Sequence, residues 1–248
     1  STRYVRTTEA GLRYLDDARR ILLELEAADA TAAGINATPR GQLAITAPVL
    51  FGRLFVMPGV VEYLKQYPEV DVSVMLLDRV VNLLEEGIDV GVRIGKLPDS
   101  SMHALRVGSV RIVLCASPAY LKEFGTPRTV DDLYEHRMIA SRAGNHLLDL
   151  RFKTKDRERE VQIKTRLTTN TNDSAIEAAL QGYGITRLIS YQIAEYLKIG
   201  TLQAVLEDWE PDPMPVSILY REGRQAAAKV RTFVDFIAEQ LREDPALN

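Results

Sequence analysis

The sequence predicts an α/β protein of two Rossmann-like lobes around a cleft, preceded by one long N-terminal helix. Three observations predict it. From Gln42 onward strand-like and helix-like segments alternate, the order expected of a parallel sheet with crossover helices. Runs such as 88–94 and 111–116 are mostly apolar, as strands covered on both faces are. The first forty residues instead carry apolar side chains at heptad spacing. With 46% hydrophobic and 26% charged residues in a chain of 248, there is material for that helix and one or two compact lobes.

Ser1 to Arg6 alternate basic with β-favouring residues and read as the last strand of a ribbon belonging to a larger module. Thr7 and Thr8 stand where a helix N-cap is wanted. Over 9–33, Leu15, Ala18, Leu22, Leu25 and Ala32 keep heptad spacing, Tyr14, Ile21 and Ala28 widen the stripe, and Glu9/Arg13 and Asp16/Arg20 decorate the opposite face. A helix of that length spans roughly 35–40 Å, more than one small domain needs for packing. Its stripe wants a partner helix, and Leu15, Ala18, Leu22 and Leu25 are the expected dimerisation residues. Gly34, Pro39 and Gly41 end it, so 9–40 is a linker helix and hinge.

The remaining elements follow in order. Residues 42–46 read as a strand, 48–67 as a loop and helix stopped by Pro68, and 70–77 as a second strand, which together make a βαβ unit. A helix over 80–86 leads into the covered strand 88–94, and 111–116 is another buried strand. The second half repeats the theme: helix-like 129–135, a short strand over 138–141, and a charge-rich exposed hairpin over 151–164. Then come a strand over 165–169, capping residues from Asn170 to Ser174, a helix over 175–181, a strand over 185–189 and a helix over 191–198. Trp209 and the Pro211/Pro213/Pro215 cluster precede a strand over 216–220 and an amphipathic helix over 226–241. The matching halves, joined near 115–118 and 211–215, imply one lobe of 41–116 and 216–248 and a second of 117–215.

Several chemistries are disfavoured. No run approaches the ~18 apolar residues of a spanning helix and no signal peptide opens the chain, so no membrane partner is expected. A single cysteine, Cys115, fits a reducing cytoplasm. His103, His136 and His146 are scattered, and neither a nucleophile elbow nor a phosphate loop is present; Gly182-Tyr183-Gly184 follows a helix where a dinucleotide fingerprint follows a strand. Glu85 and Glu86 are helix neighbours that point apart. No enzyme activity, metal or cofactor is expected. The net charge of −3 does not by itself support nucleic-acid binding.

These residues resemble the LysR-type transcriptional regulators over nearly the whole chain. Residues Arg3 to Gly11 are similar to the wing of that family's winged helix-turn-helix running into its linker helix, and Gly41 to Pro48 to the entry of its effector domain. Leu84 to Gly95 and Cys115 to Leu121 are similar to segments of a branch whose members often respond to small organic acids. The resemblance implies a periplasmic-binding-protein-like effector domain at 41–248 and a wing remnant at 1–8. It also implies a homodimer or homotetramer, a small-molecule effector, and DNA contact through an N-terminal domain whose two groove-entering helices are absent here. Arg3 and Arg6, on the wing, would touch phosphates or the minor groove.

In open parallel sheets ligands sit beyond the carboxyl ends of strands, where helix N-termini offer unpaired N–H groups. Those ends deliver Thr46, Pro48, Val49, Asp78, Arg93 and Ile94 from the first lobe, and Ser141, Thr171, Asn172, Asp173 and a turn holding Thr186 and Arg187 from the second. Arg93 or Arg187 could clamp a carboxylate. Each nominee has a plainer use as well: Thr171 to Ser174 cap their helix, Arg93 and Arg187 pair with Asp78 or Asp173, and Pro48 and Val49 pack. The function expected is effector sensing and oligomerisation in a transcriptional regulator responding to a small, carboxylate-bearing metabolite. The alternative is a solute-binding protein or a cleft enzyme on the same architecture.

Overall fold

A computed structural model describes residues 8–11, 13, 14, 17, 18, 21, 25, 38–79, 81–97, 102–141, 147–153, 158–220 and 228–247. Residues 9–11, 13, 14, 17, 18, 21 and 25 are helical, and Thr8 caps them by accepting the Gly11 N–H at 3.1 Å. Tyr14, Ile21 and Leu25 of the expected stripe are more than half exposed, and Ala18 is half-buried. Leu15, Leu22, Arg3 and Arg6 lie outside the described residues.

The rest divides into two units: 1–93, 97–106 and 217–241 form the first, and 94–96, 107–216 and 242–248 the second. Strands β1 (Gly41–Ala47), β2 (Val70–Leu76), β3 (Val90–Ile94), β4 (His103–Val110) and β11 (Met214–Tyr220) form a five-stranded sheet of order β2-β1-β3-β11-β4, with β1 parallel to both neighbours. Pro48 stops β1 and starts an unbroken helical stretch, α1 (Val49–Phe51), a π-helical turn (Gly52–Val56) and α2 (Met57–Gln66). Gly52 allows the stretch to lie against β2, since a Cβ there would meet Leu76 Cδ2 at 2.2 Å. Buried Tyr63 of α2 bonds the Lys229 carbonyl at 3.0 Å and Thr232 Oγ1 at 2.7 Å, pinning α2 to the C-terminal helix α6 (Ala228–Glu243).

Two expectations fail and one strand was not foreseen. The helix expected over 80–86 is a turn: Asn82 Oδ1 takes the Leu84 N–H at 3.2 Å and Gly87 adopts φ +65°, so no helical ladder propagates through the described residues. An unexpected strand, β4 (His103–Val110), is present, and Gly108 in its middle accommodates the C-terminal turn, where a Cβ would come within 2.5 Å of the Leu247 carbonyl. The chain passes between units inside β4 and again inside β11 (Met214–Tyr220).

The second correction concerns β5 (Ile112–Ala116), which was expected in the first lobe. It belongs to the second unit, within a six-stranded sheet of order β10-β5-β9-β6-β8-β7, antiparallel to both β9 (Ile185–Ile189) and β10 (Gln203–Val205). Strand β6 (Met138–Ala140) runs parallel to β8 (Glu158–Thr168) and β9, and β7 (Leu147–Lys153) pairs antiparallel with β8. The charged hairpin has two faces. Arg151 bridges Glu160 at 2.8 Å on one, whereas Leu150, Phe152, Val161 and Ile163 are buried on the other, in a cluster with Tyr120, Leu133 and Met138. Helices α3 (Pro118–Phe124), α4 (Asn172–Leu180) and α5 (Ser190–Lys198) complete this unit.

Candidate functional site

In the first unit, register brings the nominated residues to one end of the sheet. Thr46 lies opposite Met75 on β2 and Gly91 on β3, so two residues further along, Pro48 is level with Leu77 and Arg93. Since β2 and β3 flank β1 and neighbouring strands lie ~4.8 Å apart, Asp78 and Arg93 approach the Pro48–Val49 turn from opposite sides. The turn is held from one of them: the Leu77 N–H donates to the Ala47 carbonyl at 2.9 Å, and the Val49 N–H to Asp78 Oδ1 at 3.0 Å. A carboxylate of the chain thus already occupies a donor at the start of this helical stretch, which is the favourable place for a negative charge. Thr46 is fully buried and its hydroxyl donates to the Met75 carbonyl at 2.8 Å, so it braces β1 against β2.

Arg93 does not pair with Asp78. Its Nη1 donates to the carbonyl of its neighbour Val92 at 2.8 Å, and its buried Nη2 has no hydrogen-bond partner among the described residues. Burial lowers the pKa of this half-buried guanidinium, with the Glu86 carboxylate opposing the shift. Glu86 is itself held by both Arg79 nitrogens at 2.9 Å, which pulls its carboxyl below the usual range. A cation whose inner nitrogen lacks an acceptor is an expensive thing to keep. Ile94 ends β3 and falls on the second unit's side of the division.

In the second unit the nominees scatter. Ser141 follows β6 and is half-buried, and Thr171 is the N-cap of α4: its Oγ1 accepts the Ser174 N–H at 3.3 Å and lies 2.9 Å from Ser174 Oγ. Thr169, which the sequence reading did not nominate, takes the Thr171 N–H at 3.0 Å and returns its hydroxyl to the Thr171 carbonyl at 2.9 Å. The plainer capping use is therefore realised, and Asn172 and Asp173 form the first turn behind it. The hydroxyl-rich string from Thr168 to Ser174 was the signal that could have added Thr169.

Thr186 and Arg187 are a correction. Both lie inside the strand expected over 185–189, β9, opposite Cys115 and Leu114 of β5, and the turn also expected around them is absent because antiparallel pairing with β5 keeps the chain extended through both. Thr186 is fully buried and its hydroxyl has no partner among the described residues, and half-buried Arg187 reaches the Asp149 carbonyl on β7 at 3.3 Å. Cys115 is buried, which pushes its thiol pKa up to about 12 and leaves it a poor nucleophile. Among the described residues no group of three or more His, Cys, Asp or Glu is placed to hold a metal ion, and no helix is long and apolar enough to cross a membrane.

A parallel sheet end, a helical stretch starting at it and a second α/β unit match one family model. The LysR substrate binding domain matches residues 36–242. The chain belongs to the LysR family of transcriptional regulators. An HTH-type transcriptional regulator of Xanthomonas campestris pv. campestris is 30% identical over 248 residues, covering 98% of this chain and 72% of its own. The Escherichia coli HTH-type transcriptional activator TtdR is 28% identical over 240 residues, 96% of this chain and 77% of its own. Among solved structures, the full-length Vibrio cholerae virulence activator AphB superposes with a TM-score of 0.74 at 26% identity, covering 94% of this chain and 79% of that one. CrgA, a LysR-type regulator from Neisseria meningitidis, superposes with a TM-score of 0.73 at 25% identity, over 97% and 82%.

Membership settles several expectations. The α/β effector-domain fold is that of LysR regulatory domains, and the relatives are named as regulators and activators, so neither the enzyme nor the solute-binding alternative is favoured. LysR-type regulators act as oligomers that bind DNA and an effector.

Proposed function

We propose that this LysR-family chain senses a small carboxylate-bearing metabolite. One observation carries the reading: parallel register sets the Pro48–Val49 turn, Asp78 and Arg93 at a common sheet end, with a guanidinium nitrogen that lacks an acceptor among the described residues. An effector carboxylate supplies the missing acceptor at Arg93. Within the second unit, Arg187, Ser141 and the Thr171 to Asp173 turn are the effector-binding candidates. Because a ligand shifts an equilibrium only by its differential affinity for two states, the coupling to DNA binding is modest, about 1–3 kcal/mol.

Two assignments accompany it. Leu15, Ala18, Leu22 and Leu25 pair the linker helix with that of a second copy, giving a homodimer or homotetramer, and Arg3 and Arg6 add phosphate contacts in the intact regulator. A thermal-shift screen of organic acids, followed by calorimetry on Arg93→Ala, Thr171→Val and Arg187→Ala, tests the effector assignment. An acid that binds all three variants as tightly as the parent overturns it. Sedimentation of the chain with and without residues 1–40 tests the helix pairing, which fails if the longer form is monomeric.

A further inference from the structure

Away from the effector residues, the second unit holds a buried hydrogen-bond relay that the family assignment does not use. Tyr120 of α3 is 1% exposed. Its hydroxyl oxygen accepts the Arg137 backbone N–H at 3.0 Å and lies 3.1 Å from His136 Nδ1. The Arg137 amide can only donate, so the direction of the second bond follows from counting protons. Were His136 Nδ1 the donor, the phenolic proton of Tyr120 would be buried without an acceptor among the described residues. The arrangement that satisfies every group has Tyr120 donating to an unprotonated Nδ1, with the imidazole proton on Nε2.

We propose that the Tyr120–His136 contact is an acid-released latch between α3 and the start of β6. Protonation of His136 must place a hydrogen on Nδ1, the atom that receives the Tyr120 proton. The phenol then has to turn its own proton away into a buried position, and its oxygen must serve two donors. One hydrogen bond is lost or reversed, and the Arg137 amide competes for what remains.

What is fastened there explains why the loss would be felt. Residue 137 leads directly into β6, the strand flanked by β8 and β9 in the sheet. The Arg137 carbonyl accepts the Ile185 N–H at 2.9 Å at the start of β9, and Gly184 abuts it so closely that a Cβ would lie 2.2 Å from that oxygen. The Arg137 guanidinium lies over the Phe124 ring at 4.6 Å and near that of Tyr183 at 5.8 Å, and Phe124 stacks on Tyr120. The charged groups facing His136 are Asp132 and Glu135 on the preceding turn; Asp132 is already bonded to the Arg128 and Thr129 N–H groups and the Thr129 hydroxyl. Burial lowers the pKa of His136 from the ordinary 6.5, outweighing these two carboxylates, so the latch is closed at neutral pH and opens in mild acid.

Amide hydrogen exchange reads the latch directly, because the Arg137 N–H is one of its bonds. Corrected for the intrinsic rate, Arg137 protection in the 248-residue protein should fall about fivefold or more between about pH 7.5 and 5.0, while Leu77, bonded backbone to backbone in the first unit, changes little. His136→Gln keeps an acceptor for Tyr120 but cannot titrate, and should hold its Arg137 protection throughout. Tyr120→Phe removes the acceptor and should show low protection at both pH values with no further fall. The proposal is overturned if the parent changes by less than about twofold, or if whichever variant folds loses as much as the parent does.

Discussion

The two units place their nominated residues by different logics. In the first, β1, β2 and β3 are parallel, so position along each strand converts directly into position at a common end, and Thr46, Val49, Asp78 and Arg93 arrive there together. In the second, β5 and β9 are antiparallel and β6 and β9 parallel, so a residue's distance from the end of its own segment says little about which end of the sheet it faces. The polar bonds differ accordingly. Among the nominated residues, Thr46 and Val49 of the first unit bond to the β2 segment at Met75 and Asp78, whereas Thr171 of the second bonds within its own turn to Thr169 and Ser174.

The largest expected effect tests how each unit tolerates closer packing. Gly184→Ala drives a Cβ against backbone, the Arg137 carbonyl, and should cost about 3 kcal/mol in urea unfolding. Gly52→Ala meets the far end of the Leu76 side chain, which can move, and should cost about 1 kcal/mol. Equal costs would remove that distinction. Next come the two buried threonines: Thr46→Val deletes a made hydrogen bond and should cost about 1–2 kcal/mol, whereas Thr186→Val deletes a hydroxyl without a partner among the described residues and should be neutral or stabilising. A destabilised Thr186→Val would show that its hydroxyl has a bond in solution.

Smaller effects sharpen the turns. Thr171→Ala should lose about 1 kcal/mol and Thr171→Ser almost none, since the cap needs only the hydroxyl. The smallest concerns Cys115, whose thiol pKa is raised by burial to about 12. The unfolded chain deprotonates first, so the folded state holds the extra proton, and stability attributable to this group is complete below the ordinary thiol pKa and is lost as pH rises toward 12. Thiol labelling of the native protein at about pH 8 should accordingly run at least about tenfold slower than that of the unfolded chain.

Local pattern carried much of the fold. The covered runs became β3 and β5, the strand over 185–189 has the limits expected, and Thr8 and Thr171 cap the helices for which they were read. What depended on distant partners did not show. The charges of the 151–164 hairpin concealed Phe152, Val161 and Ile163, whose alternate positions face a core assembled from α3 and β6. Strand β4 was not read from the sequence, and the reason for the glycine in its middle lies far off at Leu247. The placement of β5 was illegible for the same reason, since nothing within 112–116 states that β9 and β10 are its neighbours. Among the candidate site residues, the Asp78 bond to Val49 required both registers, and the Arg187 reach to Asp149 crosses strands that no local spacing relates.

Because the chain leaves the first unit inside β4 and returns inside β11, that unit is complete only when residues 217–241 join residues 1–93. Tyr63 waits for Lys229 and Thr232, partners more than 160 positions downstream. During synthesis from the N-terminus, most of the second unit emerges as one uninterrupted stretch while β1, β2 and β3 stand without their closing helix. The nested order sets a high sequence separation for the contacts that finish the first unit, which favours slower closure there than for contacts local in sequence. It also means that a proteolytic cut in either crossing strand separates residues 1–93 from residues 217–241, the two stretches that complete the first unit.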